Sequence, residues 1–213
     1  DNGQTRAALI AADLGGINEA VWAETARRLS TELKIPVQNI VMSSTHTHSD
    51  TPASETPAPN TERYGSKIVP DAAVKALTQA SSRLEPARMG YGTGEAYLNA
   101  NRDAVSPQTH RWTQAANLAA PSDKTVAVLW FVRPDGRPIA AYSTYAMHAV
   151  NGYLAGFVSG DFAAASSRYI EQAFNDDMIA VFAQGASGDQ NPRWLRAGTN
   201  DMASRSGVKI TGY

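Results

Sequence analysis

The sequence Ile40-Val41-Met42-Ser43-Ser44-Thr45-His46-Thr47-His48-Ser49 runs from an apolar segment directly into two closely spaced histidines. Its apolar start predicts a buried strand over 40–44, and side chains two positions apart on a strand share one face. We therefore expect His46 and His48 to project together from the carboxyl end of this strand, where ligands bind in open α/β sheets. The chain has only four histidines, so the close pair favours a functional site over a solvated strand end.

Predicted strands and helices alternate on both sides of this segment. Asn18 can cap a helix over 19–34, and Asp161 can cap another over 162–174. Further strands are predicted over 7–12, 125–131, 138–147 and 178–183 and from Arg88 onward. A helix is predicted over 72–84. Between these elements we expect a loop over 50–61 and an irregular surface excursion over 99–122.

This alternation predicts an α/β fold, with a single domain whose mixed, mostly parallel sheet is flanked by helices and carries the site at the carboxyl ends of its strands. The 213 residues suffice for one such domain. The net charge of −1 gives no electrostatic reason to expect a nucleic-acid partner. The absence of cysteine excludes disulfides and thiolate chemistry, and no run reaches the ~18 apolar residues of a membrane span.

Three predicted strand ends carry polar groups suited to chemistry: the His46/His48 pair, His148, and the turn over 188–192. Imidazole is a common zinc ligand, and catalytic zinc usually takes three protein ligands and a water. The pattern therefore predicts a metal site. His110 lies among polar residues in the irregular stretch, where a surface position is expected.

Several short blocks, in this order along the chain, resemble the neutral/alkaline (non-lysosomal) ceramidase family. They are Ser44-Thr45-His46-Thr47-His48-Ser49, Asn101-Arg102, Asp123-Lys124-Thr125, Met147-His148, Ser159-Gly160-Asp161, Phe182-Ala183-Gln184 and Gly188-Asp189-x-x-Pro192. The resemblance implies that residues 1–213 form a ceramidase-like catalytic domain, as a fragment of a longer domain whose remaining zinc ligands, a Glu and a Tyr, lie beyond the match.

The resemblance also implies an activity. We expect a zinc-dependent hydrolase that cleaves a linear amide bond, as in an N-acyl sphingosine, or a related ester. The substrate would be a small molecule or lipid, with peripheral contact to lipid surfaces, and the protein would be secreted or periplasmic. No leader is visible at Asp1, although a mature chain would have lost it. The alternative is a non-catalytic relative that uses the fold as a binding module.

By position in the resembling blocks, His46 and His148 look like zinc ligands. His48 and Arg102 look like groups near the scissile carbonyl, where they would stabilise a developing oxyanion. Taken without the resemblance, Arg102 is expected to be an ordinary surface arginine. Asp189 is either a turn residue or a partner of a ligand imidazole, and the same two roles are open for Asp13, whereas Asp161 is expected to be structural.

One position departs from the family pattern. Asn191 stands where ceramidases carry their nucleophilic serine, and an amide nitrogen cannot replace an alkoxide. We expect metal-activated water to attack directly, with Asn191 binding the substrate or orienting that water. Ser187 is the alternative nucleophile, although its surroundings are not a Gly-x-Ser-x-Gly elbow. A ceramidase that works through some other nucleophile remains a further alternative.

Overall fold

A computed structural model describes residues 1–50, 67–152 and 157–193 of the chain. The loop predicted over 50–61 therefore lies, after Asp50, outside the described residues. In chain order the elements are β1 (Ala8–Ala12), α1 (Glu19–Leu33), a short 3-10 helix (Val37–Asn39), β2 (Ile40–Ser44), α2 (Val69–Ser82), β3 (Arg88–Glu95), β4 (Asn99–Val105), β5 (Trp112–Asn117), β6 (Thr125–Val132), β7 (Pro138–Tyr145), α3 (Asp161–Ala173), β8 (Ile179–Gln184) and β9 (Gln190–Pro192). None of the described helices is long and apolar enough to cross a bilayer.

The first two strands pair in parallel, with Ala8 opposite Ile40 and Ala12 opposite Ser44. Helices α1 and α2 cover one face of this pair, and the fully buried Leu29 of α1 lies in the shared apolar cluster. Asn18 caps α1 as predicted, because its side chain accepts the backbone N–H of Val21 at 2.9 Å. The parallel register brings the residues that follow β1 close to those that follow β2.

A second sheet has the strand order β3-β6-β7-β8. A turn at Asp135-Gly136 joins β6 to β7, and Gly136 takes a φ of 90° that a residue with a Cβ rarely adopts. Strand β8 pairs in parallel with β7, and α3 packs on it through Phe162 and Phe182, whose ring centroids are 5.1 Å apart. The parallel pair places His148, just after β7, near the turn that follows β8.

The predicted α/β class is confirmed, but the prediction of one mostly parallel sheet is wrong. Among the described residues the strands form three sheets, and only the pairs β1–β2 and β7–β8 are parallel. The other four pairs, β3–β6, β6–β7, β4–β5 and β4–β9, are antiparallel. Short connections such as the turn at Asp135-Gly136 permit only antiparallel neighbours, since a parallel pair needs a crossover.

The predicted surface excursion over 99–122 is also wrong, because it contains β4 and β5. Their sequences carry polar side chains on both faces, which hides the two-residue period of a half-buried strand. Polar residues are nonetheless buried here: Asn99 has no exposed surface and Asn101 is 7% exposed. Strand β9 pairs with β4, which joins the turn after β8 to this third sheet.

Candidate metal centre

His46 lies two residues beyond the end of β2, and its backbone has left the strand conformation. Its φ of 58° is in the left-handed region, which costs a residue with a Cβ about 1 kcal/mol. Strand alternation is therefore not what brings His46 to His48, because β2 ends at Ser44. The two rings meet all the same, with their Nε2 atoms 3.4 Å apart.

The loop after β1 fixes the orientation of the His46 ring. Nδ1 of His46 lies 2.5 Å from the carbonyl oxygen of Gly15. A carbonyl can only accept, so Nδ1 carries a proton and Nε2 is the nitrogen left as a potential metal ligand. The backbone N–H of Gly15 in turn donates to the Asp50 carboxylate at 2.6 Å. Sequence reasoning missed the roles of Gly15 and Asp50, because neither a backbone carbonyl nor this loop carboxylate belongs to a recognisable motif.

His48 is held by the segment after β7. The preceding residue, Thr47, is fully buried and forms an isolated parallel bridge with Ala149. The backbone N–H of His48 donates to the carbonyl of Ala149 at 3.0 Å, and the Thr47 hydroxyl donates to Ser159 at 2.5 Å. These bonds join the ends of β2 and β7 where the histidines stand.

His148 is the buried member of the group, with 5% of its surface exposed. Nδ1 lies 2.7 Å from the carbonyl oxygen of Ser187 and 3.2 Å from that of Gln190, so this nitrogen also carries the proton. Burial, and after it the nearby charges of Arg102 and His46, lower the pKa of His148 to about 4. The imidazole is therefore neutral at pH 7, which is the form that binds a metal.

The three histidines form one group of potential metal ligands in the described part of the chain, with ligand atoms within 4.8 Å of one another. The centroid of the His46 ring lies 4.8 Å from that of His48 and 4.7 Å from that of His148. Two nitrogens bound to a tetrahedral zinc at ~2.0–2.1 Å would stand about 3.4 Å apart, which matches the spacing between His46 and His48. The donor set thus fits a nitrogen-binding transition metal.

Arg102 and Asn191 lie together beside the histidines. Strand β4 carries Arg102 and pairs with β9, which carries Asn191. Nη1 of Arg102 donates to Oδ1 of Asn191 at 3.4 Å, and the charge of Arg102 acts on the pKa of His148. The arginine is half-buried rather than fully exposed.

Asp189 links the turn after β8 to strand β4 through two hydrogen bonds. Its carboxylate accepts from the Asn101 amide at 2.9 Å, and its carbonyl accepts from the N–H of Arg102 at 2.7 Å. The Nδ1 partners of His46 and His148 are the carbonyls of Gly15 and Ser187, so neither Asp189 nor Asp13 holds these two imidazoles.

Two other residues considered in the sequence analysis, Asp161 and His110, lie outside the histidine group. Asp161 binds Gly152, Asn151 and Phe162 through its carboxylate, which ties the loop after His148 to the start of α3. It is the first residue of α3 rather than a residue preceding it. His110 is exposed, on the connection between β4 and β5, as expected.

Comparison with known proteins identifies relatives of the chain. The family model described as neutral/alkaline non-lysosomal ceramidase, N-terminal, matches residues 1–209. The neutral ceramidase of Pseudomonas aeruginosa is 28% identical over 193 residues, which cover 84% of this chain and 28% of that protein.

Two solved structures have a similar fold. The crystal structure of the Pseudomonas aeruginosa neutral ceramidase matches with a TM-score of 0.68 and 25% identity over 85% of this chain and 30% of that one. A ceramidase complexed with C2 matches with a TM-score of 0.67 and 24% identity, with the same shares covered. The chain thus spans less than a third of the length of these relatives.

Proposed function

The chain belongs to the neutral/alkaline non-lysosomal ceramidase family, and we propose from this that it is part of a zinc-dependent hydrolase acting on a linear amide bond. The substrate we propose is an N-acyl sphingosine or a related amide or ester. The observation that carries the proposal is the convergence of His46, His48 and His148. In His46 and His148 a backbone carbonyl contacts Nδ1, which leaves Nε2 as the potential ligand atom.

The metal site is assigned to the histidines on the chemistry of their nitrogens. We propose that His46 and His148 hold the ion through Nε2, because their Nδ1 protons are already bound to the carbonyls of Gly15 and Ser187. A bound zinc ion supplies a Lewis acid that lowers the pKa of water and polarises a carbonyl. A neutral imidazole at His148 favours binding at neutral pH, in agreement with the low pKa of this residue.

Arg102 and His48 are proposed to act on the scissile carbonyl. A guanidinium stays charged at every physiological pH, and a half-buried one stabilises a developing negative oxygen more strongly than an exposed one. The bond between Arg102 and Asn191 holds the guanidinium at the edge of the histidine group. Asp189 positions Arg102 by accepting its backbone N–H, so it acts through the arginine rather than on the substrate.

Asn191 is proposed to bind the substrate or to orient the attacking water. The residue is 8% exposed and its Oδ1 accepts from Arg102, which leaves the amide NH₂ as a donor for an oxygen in the site. Hydrolysis adds water across the C–N bond and yields a carboxylate and an amine. Because water supplies the added oxygen, the reaction requires no side-chain nucleophile, which agrees with an asparagine at position 191.

The extent of the domain, the location of the protein and its contact with lipid surfaces are proposed from the family. We propose that residues 1–213 form one ceramidase-like catalytic domain, or part of a longer one, that the protein is secreted or periplasmic, and that it contacts lipid surfaces peripherally to reach its substrate. A non-catalytic binding module with the same fold is the second candidate, favoured by the missing serine.

The test combines metal content with hydrolysis. Purified protein would be analysed for zinc by mass spectrometry and assayed against ceramides, short N-acyl amides and esters. We expect bound zinc and amide cleavage, both lost in His46→Ala and retained in His110→Ala, which removes an exposed histidine outside the group. Zinc retained by His46→Ala would overturn the metal site, and zinc without any hydrolysis would favour the binding module.

A further inference from the structure

A cavity of about 350 Å³ opens beside the start of β4, and none of the three histidines lines it. Two of its lining side chains are cationic, Lys124 and Arg193, and none of its described lining residues is acidic. Ser122 and Asn117 add a hydroxyl and an amide to the wall. The described part of the cavity wall therefore presents hydrogen-bond donors and positive charge.

The two cations are close to each other. Burial lowers the pKa of Lys124, and the charge of Arg193 lowers it further. Nζ of Lys124 donates to the carbonyl and to Oδ1 of Asn99 at 2.7 and 2.8 Å, and both acceptors are neutral. Within residues 1–50, 67–152 and 157–193, neither cation takes part in an ion pair.

We propose that this cavity binds an oxyanion, the phosphate or carboxylate head of a small molecule, between Lys124 and Arg193. Two like charges in a partly desolvated cavity repel each other, and an anion placed between them converts that repulsion into two attractions. The arginine fork matches the paired oxygens of phosphate or carboxylate, and the lysine supplies a compact charge with one hydrogen left to donate. The cavity volume leaves room for an organic group attached to the anion.

A chain of hydrogen bonds joins this cavity to the metal centre. Nδ2 of Asn99, the residue that Lys124 contacts, lies 2.8 Å from Oε1 of Gln190. The carbonyl of Gln190 accepts the backbone N–H of His148 at 2.9 Å. An anion bound to Lys124 would thus be linked to His148 through hydrogen bonds that pass by way of Asn99 and Gln190. The binding itself does not depend on the proposed hydrolysis and is measured without substrate.

The first experiment is calorimetric titration of the whole protein at low ionic strength with inorganic phosphate and, separately, with acetate. We expect one saturable site for at least one probe, weakened about tenfold or more in Arg193→Gln because a charge-assisted pair is lost. Arg88→Gln, which removes an exposed arginine of β3 outside the cavity, should bind as the wild type does. No saturable binding of either probe, or equal binding by Arg193→Gln, would overturn the proposal.

A second measurement needs no variant and so does not depend on whether Arg193→Gln folds. Lysines of the wild-type protein are acylated with an amine-reactive ester, and the modified positions are quantified by mass spectrometry. The probe that binds should protect Lys124 and leave the exposed Lys75 equally reactive. Equal modification of Lys124 with and without saturating phosphate and acetate would refute an anion at this position.

Discussion

The backbone carbonyl of Ser187 lies 2.7 Å from Nδ1 of His148, and this contact decides which nitrogen of the ring is available to a metal. The same arrangement recurs at His46, where the acceptor is the carbonyl of Gly15. Backbone acceptors keep a constant charge over the whole pH range, unlike carboxylates. The tautomers of both rings are therefore set by the fold and do not depend on the protonation of a neighbouring acid.

Acid should destabilise the metal-free protein through His148. Its pKa is about 4 in the folded protein, against 6.5 as the ordinary value, so the unfolded chain binds more protons between these values. The contribution is fully present above pH 6.5 and is lost as the pH falls toward 4, at most about 3 kcal/mol. Urea midpoints of chelated protein at pH 7.5 and 4.5 measure the loss, and His148→Gln should show a smaller difference between the two. An equal difference in both proteins would contradict the assignment.

Replacement of Arg102 should reduce catalysis far more than binding. We expect Arg102→Gln to lower kcat by about 10²–10³-fold, the effect of removing one oxyanion donor, with little change in KM. Steady-state kinetics on the amide substrate provide the measurement. Arg111→Gln removes an exposed arginine between β4 and β5 and is the matched control. A rise in KM at constant kcat would instead show that Arg102 only binds the substrate.

Asn191→Ala should lower the rate moderately, because it removes positioning or one hydrogen bond worth ~1–3 kcal/mol. Intact-mass spectrometry during turnover of a slow substrate should show unmodified protein, since direct attack by water leaves no acyl adduct. An adduct on Ser187 or on another side chain would refute direct attack. Asn191→Ser is the informative second variant, because it restores the hydroxyl found at this position in the family pattern.

Asn99→Ala should be among the most destabilising polar substitutions in the chain. The side chain is fully buried, and its Nδ2 lies within 2.8 Å of Ala146, Asp123 and Gln190 oxygens. Truncation leaves several of these groups without a partner, which costs about 2–4 kcal/mol. Chemical denaturation measures the change, and Gln79→Ala on the exposed face of α2 should alter stability by less than about 0.5 kcal/mol.

Gly185→Ala should weaken the contact between the ends of β7 and β8. A Cβ at Gly185 would stand 2.9 Å from the carbonyl carbon of Tyr145 and 3.0 Å from the backbone nitrogen of Ala146, neither of which can rotate away. We expect a loss of about 1–3 kcal/mol in the free energy of unfolding, together with weaker metal binding, since His148 lies two residues beyond Ala146. Gly90→Ala meets nothing within 4 Å and is the control. Equal melting temperatures of the two variants would contradict this reading of the contact.

The sequence predicted the α/β class, the cap at Asn18 and most element positions because apolar periodicity and capping chemistry are local. It did not predict β4 and β5, where buried polar residues such as Asn99 find partners far along the chain. Sheet direction was also missed, since the pairing of β4 with β9 leaves no local pattern.

The histidine group likewise combines features that local sequence indicates with contacts that only the folded chain shows. Residue types and spacing singled out His46, His48 and His148, which the structure brings together. The carbonyls that orient His46 and His148 belong to Gly15 and Ser187, and any residue type carries a backbone carbonyl. Only the fold reveals which carbonyl is used, so no sequence motif could have named them.

The orienting contacts of the histidines also bear on the order of folding. Gly15 is 31 residues from His46 and Ser187 is 39 residues from His148, so neither ring is oriented until distant segments have paired. Contacts of such high sequence separation form slowly, because loop closure must precede them. Metal uptake would then be a late event in the maturation of the chain, and its rate would report when the strands have reached their final register.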